Sequence, residues 1–389
     1  MYRYSRLIGF ILVAALIEVL LGRRWGKLPP LGRFLSPVEG FWRNAESPEG
    51  RLPTQLSMPN LKDTVRIFWD SRWVPHIYAK NEEDLYRIQG YIQAYLRLWQ
   101  MEVQSDAAAG ELSRFLGENL LPFDRAMRRL GMRYAAERAL EEVRRDSLSW
   151  SILQAFTEGV NAYIQTLSPR DYPLEYKLLD YEPRPWTPLR SLFLVKYMAY
   201  DLTTRSKDKY LTRLLARLGR GAIDSLYPND PPLGYSTVLS YDEPPSHELP
   251  PQPEVIYSES YLGDSSAYAI EGEETFLGSN NWALSGKKTA TGYPLLANDP
   301  HLALNLPSIW LEMHVWAPTL HVYGVTLQGA PGIIIGYNEC IAWGVTNVGP
   351  DAMDFYHLRY ADAQQRSFYY NGQVLPLQLR PETIWVRTP

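Results

Sequence analysis

Ser279 follows a small residue and opens a strand-like run, in the order Gly278-Ser279-Asn280-Asn281-Trp282 and on to Gly286. A serine hydroxyl is a weak nucleophile until a base stands beside it, and the α-amine of a chain terminus is one such base. Cutting the Gly278–Ser279 bond would place nucleophile and base on one residue. An α-amine titrates near ~7.7–8.0, so at neutral pH a useful fraction is unprotonated and takes the hydroxyl proton, directly or through a water. The competing reading of Gly-Ser-Asn is a polar turn. Rival chemistries lack their signatures: the chain has no G-x-S-x-G elbow, no H-E-x-x-H, no P-loop and no G-x-G-x-x-G. Its methionines are scattered, with no cluster suited to copper. The lone Cys340 excludes an internal disulfide and a multi-cysteine metal site. It borders the apolar run from Ile341 and is expected to be a buried strand residue.

A series of blocks surrounds this serine. Asp70 precedes Val74-Pro75-His76-Ile77-Tyr78-Ala79, followed by Gly90-Tyr91 and by Arg97-Leu98-Trp99-Gln100-Met101-Glu102. Gly110-Glu111-Leu112-Ser113 comes next, with Leu116-Gly117. Beyond Ser279 stand Asn298-Asp299-Pro300-His301-Leu302, Gly329-Ala330-Pro331-Gly332, Ile335-Gly336-Tyr337-Asn338 and Ile341-Ala342-Trp343-Gly344-Val345-Thr346-Asn347. Asp351 and Asp354 close the series. In order and spacing, from about Val65 to the end of the chain, these blocks resemble the penicillin acylase family of N-terminal-nucleophile hydrolases. Two positions depart from the pattern: Trp73 stands where the family favours a turn glycine, and Leu96 where it favours Asp.

The resemblance implies roles for further residues. His301 would help orient the serine, against the alternative of a structural histidine beside Pro300. Asn347 would give a backbone N–H to an oxyanion hole, where a donor is worth about 2.7–4 kcal/mol by analogy with a deleted side-chain donor. Asp351, Met353 through its carbonyl, and Asp354 would form a calcium loop joined by Asp208, since hard oxygens suit Ca²⁺. The alternative there is a solvated acidic loop, with Asp208 an ordinary helix residue. The implied fold is α+β, the four-layer αββα sandwich of these hydrolases, with the terminal serine opening a central strand. It is expected to be incomplete, because family members continue past the equivalent of Pro389 through most of their β chain. That continuation supplies a second oxyanion donor, further calcium ligands and the remaining strands.

The elements that must position these residues are legible in outline. With 389 residues, 46% hydrophobic and 21% charged, the chain suits a globular enzyme with a sizeable core. A net charge of −4 carries no basic footprint for nucleic acid. Residues 1–28 read as a targeting segment: Arg3 and Arg6 precede the apolar run Leu7–Gly22, broken only by Glu18, and Arg23, Arg24 and Lys27 follow. The run is short for a membrane span of ~20 residues yet long for a signal h-region of ~7–15. An uncleaved signal anchor is favoured over a removed signal peptide, and either puts the catalytic part in the periplasm or elsewhere outside the cytoplasm. Residues 29–60, rich in Pro, Gly and Arg, read as a stalk or surface wrap.

Residues 61–227 are expected to be mainly helical. Strands are predicted at Val65–Trp69 and His76–Tyr78. Asn81 then caps a helix whose first turn holds Glu82, Glu83 and Asp84, with Leu85, Ile88, Ile92, Tyr95, Leu96 and Trp99 at helical spacing. Further helices are predicted over Ile152–Leu167, Leu189–Leu202 and Lys207–Leu218, the last stopping at Gly219. Residues 228–278 are proline-rich and acidic and read as a linker; the resemblance makes them the spacer trimmed after self-cleavage. From Ser279 to the end, short strands are predicted at Asn281–Gly286, Tyr293–Asn298, Ile309–Trp316, Leu320–Gln328, Ile333–Tyr337, Ile341–Thr346 and Phe355–Tyr360, forming an antiparallel sheet.

The function expected is hydrolysis of a linear amide, such as a β-lactam side chain or an acyl-homoserine lactone, after cleavage before Ser279. The expected partners are that small-molecule substrate and the missing β-chain segment. The alternative is an inactive, membrane-tethered fragment that binds a partner chain.

Overall fold

The computed structural model describes residues 2–26, 28–46, 54–203, 208–227, 278–302, 304–347 and 355–388. They fall into two compact units, one comprising 1–202, 276–348 and 382–389, the other 203–275 and 349–381.

The first unit begins with α1 (Tyr2–Gly22) and two short helices, α2 (Leu31–Phe34) and α3 (Trp42–Ala45). No helix among the described residues is long and apolar enough to cross a membrane, so the expected anchor finds no support as a span. Arg6 and Glu18 lie within α1. Residues 28–46 lie against the protein. Arg33 pairs with Asp180, Asn44 donates to the Tyr172 carbonyl, and Lys177 donates to the Gly40 carbonyl and to Asn44.

Strands β1 (Arg66–Trp69) and β2 (Pro75–Tyr78) lead into the long helix α4 (Glu82–Ala109). Its start obeys the sequence: the Asn81 side chain accepts from the Asp84 N–H, and three acids fill the first turn. Gly110, at φ 63°, ends it. Helices α5 (Ser113–Leu116), α6 (Leu121–Arg129), α7 (Met132–Val143), α8 (Ser147–Thr166), α9 (Leu174–Leu179) and α10 (Pro188–Leu202) follow. The front half is mainly helical, as the periodicity indicates.

After Ser279 come β3 (Ser279–Leu284), β4 (Leu295–Pro300), β5 (Trp310–Ala317), β6 (Leu320–Leu327), β7 (Ile335–Tyr337) and β8 (Ala342–Trp343). They do not form a sheet of their own. The main sheet runs β1-β2-β5-β6-β7-β8, so strands from both sides of Ser279 share it. Every pairing is antiparallel except β2 with β5, which is parallel. Helix α4 covers one face: Leu85, Ile88 and Ile92 pack with Ile77, Met313 and Val315. On its other side Ala94, Leu98 and Met101 meet Phe156, Val160, Tyr176 and Trp186. Strands β3 and β4 form a separate two-stranded ribbon. Cys340 corrects its expectation: it is exposed, in the turn between β7 and β8, where Asn338 Oδ1 accepts its N–H.

In the second unit, α11 (Asp208–Leu218) stops before Gly219, at φ 76°, and α12 (Arg220–Leu226) follows. The strand expected at Phe355–Tyr360 is absent apart from one bridge between Tyr360 and Phe368. The strands are β9 (Ser367–Tyr370) and β10 (Gln373–Pro376), joined by Asn371 and Gly372, both at positive φ. Asn-Gly at that place is the sequence a two-residue hairpin favours. Most of the expected spacer, 228–277, lies outside the described residues.

Candidate active site

Ser279 is the first residue of β3, and antiparallel pairing sets it opposite Pro300 in β4. That register brings the next residue, His301, to the serine: its backbone N–H donates to Ser279 Oγ at 3.2 Å. The hydroxyl in turn donates to the Gly278 carbonyl at 2.7 Å. The nucleophile therefore rests against the peptide group whose cleavage would release it. In this uncut chain the Ser279 nitrogen is an amide, so the terminal amine does not yet exist as a base.

The His301 imidazole does not reach the hydroxyl. Its Nε2 sits 2.9 Å from Asp299 Oδ2, while Nδ1 lies on the Gly278 side, 3.8 Å from where a Cβ there would project. What touches the hydroxyl is the main chain of His301, while its ring is held by the Asp299 carboxylate on the Gly278 side.

A loop after β8 closes over the start of β3. Thr346 Oγ1 donates to the Ser279 carbonyl at 2.9 Å. Asn298 in β4 fixes that loop: its Nδ2 donates to the Val345 carbonyl at 2.9 Å and to the Asn280 carbonyl at 3.2 Å, and its Oδ1 accepts from the Val345 N–H at 3.3 Å. Gly344 makes the approach possible, since a Cβ there would lie 2.7 Å from Asn298 Cβ. Asn347 follows Thr346 directly in this loop. Asn298, Asp299, Gly344 and Thr346 were legible only as members of their blocks. Asn298 and Asp299 owe their places to β3–β4 register and Gly344 and Thr346 to the loop after β8, and no local spacing announces either.

The expected calcium ligands are not brought together by what is described. Asp208 opens α11, and Asp351, Met353 and Asp354 lie outside the described residues. Among the described residues, no group of three or more His, Cys, Asp or Glu is arranged to hold a metal ion.

A cavity of about 740 Å³ is lined among others by Trp73, Tyr95, Arg97, Trp99, Tyr163 and Pro307, and Ser279 is not in its lining. Helix α4 kinks at Arg97, with φ −144° and ψ 19°. The Arg97 Nε is buried without a hydrogen-bond partner among the described residues, and burial lowers the guanidinium's affinity for its proton.

Residues 64–389 match the penicillin amidase family. The chain belongs to that family. It is 32% identical over 348 residues to the penicillin acylase 2 proenzyme of Pseudomonas sp. (strain SE83), covering 86% of this chain and 43% of that protein. It is 28% identical over 355 residues to the acyl-homoserine lactone acylase QuiP of Pseudomonas aeruginosa, covering 89% and 41%. A solved chain of thermostable penicillin G acylase from Alcaligenes faecalis aligns at 25% identity with a TM-score of 0.40, over 46% of this chain and 98% of that one. The chain thus spans less than half the length of the curated relatives it matches. The family match starts just before β1, leaving α1 to α3 outside it, and takes in Ser279 with every residue placed around it. Helix and sheet together give the mixed α and β content the resemblance implies.

Proposed function

We propose that this chain carries the nucleophile of an amide hydrolase of the penicillin acylase type, and that Ser279 is that nucleophile. One observation carries the reading: Ser279 Oγ sits against the Gly278 carbonyl at the head of β3, held from the other side by the His301 N–H. In the first reaction Oγ attacks the Gly278 carbonyl carbon. The C–N bond breaks, the acyl group moves to oxygen, and the Ser279 nitrogen leaves as a free amine. Water then hydrolyses the ester, giving a carboxylate on Gly278 and restoring the hydroxyl. Thr346 and Asn298 keep β3 in register while its first bond is cut. The new α-amine takes the proton of Oγ in later turnovers, and the amide substrate acylates the same oxygen.

On this reading Asn347 gives its backbone N–H to the oxyanion, and the His301 ring, oriented by Asp299, sets the electrostatics beside the new terminus. The finer architecture is the four-layer αββα sandwich, with β3 a central strand once the segments found in the longer relatives are present. Localisation outside the cytoplasm follows from the apolar segment in α1. The substrate is a linear amide, a β-lactam side chain or an acyl-homoserine lactone, as the names of the relatives suggest. Those names do not favour the inactive fragment. A structural Ca²⁺ held by Asp208, Asp351, Asp354 and the Met353 carbonyl belongs to this proposal on the chemistry of its oxygen donors.

A full-length precursor carrying these residues should split into two chains, the second beginning at Ser279. Ser279→Ala should remain a single chain, whereas Ser279→Cys can still cleave because a thiol makes the same acyl shift. Terminal sequencing that finds another residue at the new N-terminus would overturn the nucleophile. For the metal, chelator should lower the Tm of the wild type, and Asp354→Ala should abolish that sensitivity. Equal melting of folded wild type with and without chelator would remove calcium from the proposal.

A further inference from the structure

Strand β2 precedes Ser279 and β5 follows it, so their pairing joins the two sides of the chain. The joint is short: His76 pairs with His314, Ile77 with Val315 and Tyr78 with Trp316. Two imidazoles meet in the middle of it. His76 Nδ1 and His314 Nδ1 are 3.0 Å apart, with the rings edge to face at 5.1 Å. When both rings are neutral, one nitrogen donates and the other accepts. A second proton leaves two donors facing each other across that gap.

We propose that the His76–His314 contact is an acid-sensitive latch: a second proton on the pair unpairs β2 from β5 and loosens the two sides of the chain from each other.

On the outer side of the pair, Asp70 Oδ2 lies 3.9 Å from His76 Nε2. On β6, His321 has its own carboxylate in Glu339, and its ring lies 5.0 Å from that of His314. His314 is buried and, among the described residues, forms no ion pair with a carboxylate. Tyr78 and Tyr323 line the remaining space. Tyr323 donates to Glu312 and accepts from Arg72, and Arg72 also makes two hydrogen bonds to Glu312, so that trio is already neutralised. Strand β1 presents Phe68 opposite His76 and Arg66 opposite Tyr78. From the other face α4 offers Gln89, which donates to Met313. Of these groups only Glu339, already paired with His321, favours a charge on His314, and burial and the two neighbouring imidazoles outweigh it. Burial first, then His321 and His76, push its pKa from 6.5 down to about 4.

The sign follows from linkage. Pairing favours neutral His314, while a parted joint returns it to its ordinary value. The stabilisation is whole above pH 6.5 and is lost as pH falls towards 4, by about tenfold in the pairing equilibrium per pH unit.

The test measures amide exchange of a full-length, uncut Ser279→Ala precursor carrying these residues at pH 7.5 and 5.0, corrected for intrinsic rates and referenced to α8. Protection in β2 and β5 should fall by about tenfold or more at pH 5.0, and His314→Gln should remove that dependence. His76→Asn removes the same contact from the other strand, should do likewise, and serves if His314→Gln fails to fold. Unchanged protection in the parent chain, or undiminished acid sensitivity in a folded variant, would overturn the latch. A second arm rests on cleavage before Ser279: the cut protein should release its two chains on gel filtration at pH 5.0 and hold them at 7.5. Absence of cleavage defeats the proposed function and leaves the exchange result to judge the latch.

Discussion

Trp73 sits at φ 61°, in the left-handed region where a residue other than glycine costs about 1–2 kcal/mol. The departure visible in the sequence, a tryptophan where the family favours a turn glycine, is therefore a real backbone demand. Part of the cost is offset by the ring, which lies 5.7 Å from that of Trp69. Trp73→Ala keeps the strain and loses the ring contact, whereas Trp73→Gly loses the contact and relieves the strain. The glycine variant should exceed the alanine variant by about 1 kcal/mol in urea unfolding; equal stabilities would show that the turn is unstrained. Around Ser279 the same scale gives a functional expectation. Gly344→Ala must push Asn298 away and with it the loop that brings Thr346 to the Ser279 carbonyl. Self-cleavage of a full-length precursor should slow at least tenfold, read as the half-time of chain splitting on a gel. Wild-type kinetics would show that this loop does not position the scissile bond. The Gly278–Ser279 contact was legible because those two residues adjoin in sequence. Thr346 was not, because its partner is 67 residues away and is reached only by the folded loop after β8.

Helices α4 and α8 approach closely enough for backbone to touch backbone. A Cβ on Gly159 would fall 1.7 Å from the Arg87 carbonyl oxygen, and one on Gly90 would fall 2.2 Å from that of Phe156. Neither carbonyl can swing aside, since each belongs to a helix interior. Gly159→Ala should therefore cost about 3 kcal/mol or leave the chain unfolded. Thermal melting would show this, and a change below about 0.5 kcal/mol would mean that the helices part easily. The four helices named from the sequence lie close to their expected bounds because caps and apolar spacing are local properties, as Asn81 and Gly219 show, whereas α5, α6, α7 and α9 were not named. Sheet membership was read poorly. The alternation in β2 says only that one face is buried, and its partner β5 lies 238 residues on at the His76–His314 step. The β9–β10 hairpin was within reach, since Asn371-Gly372 is a turn signal, but Phe355–Tyr360 drew the strand expectation upstream. Cys340 went astray because an apolar run follows it, while Asn338 turns the chain outward there.

At the scale of the whole molecule, apolar surface is spread unevenly. On the β3–β4 ribbon Trp282, Leu284, Tyr293 and Leu295 are exposed, and in the loop after it Leu304 and Leu306 are almost fully so. Leu284 and Leu295 are register partners, and Trp282 lies two residues along β3 on the same face, so the ribbon has one apolar side. A two-stranded ribbon is marginal alone, and an unpaired strand edge beside an apolar face invites association. The curated relatives are more than twice as long as the segment matched here. We therefore expect that polypeptide of the kind they carry covers this side and completes the sheet that holds Ser279. Residues 29–389 expressed alone should be poorly soluble and lack amidase activity. Trp282→Lys with Leu295→Lys should raise the soluble fraction severalfold in a centrifugation assay without creating activity. Co-expression of the corresponding β-chain portion of a longer relative should restore both solubility and turnover of a chromogenic phenylacetyl or fatty-acyl amide. A 29–389 chain that is soluble, monomeric by light scattering and active would show that the apolar ribbon needs no cover and that the serine works without a second segment.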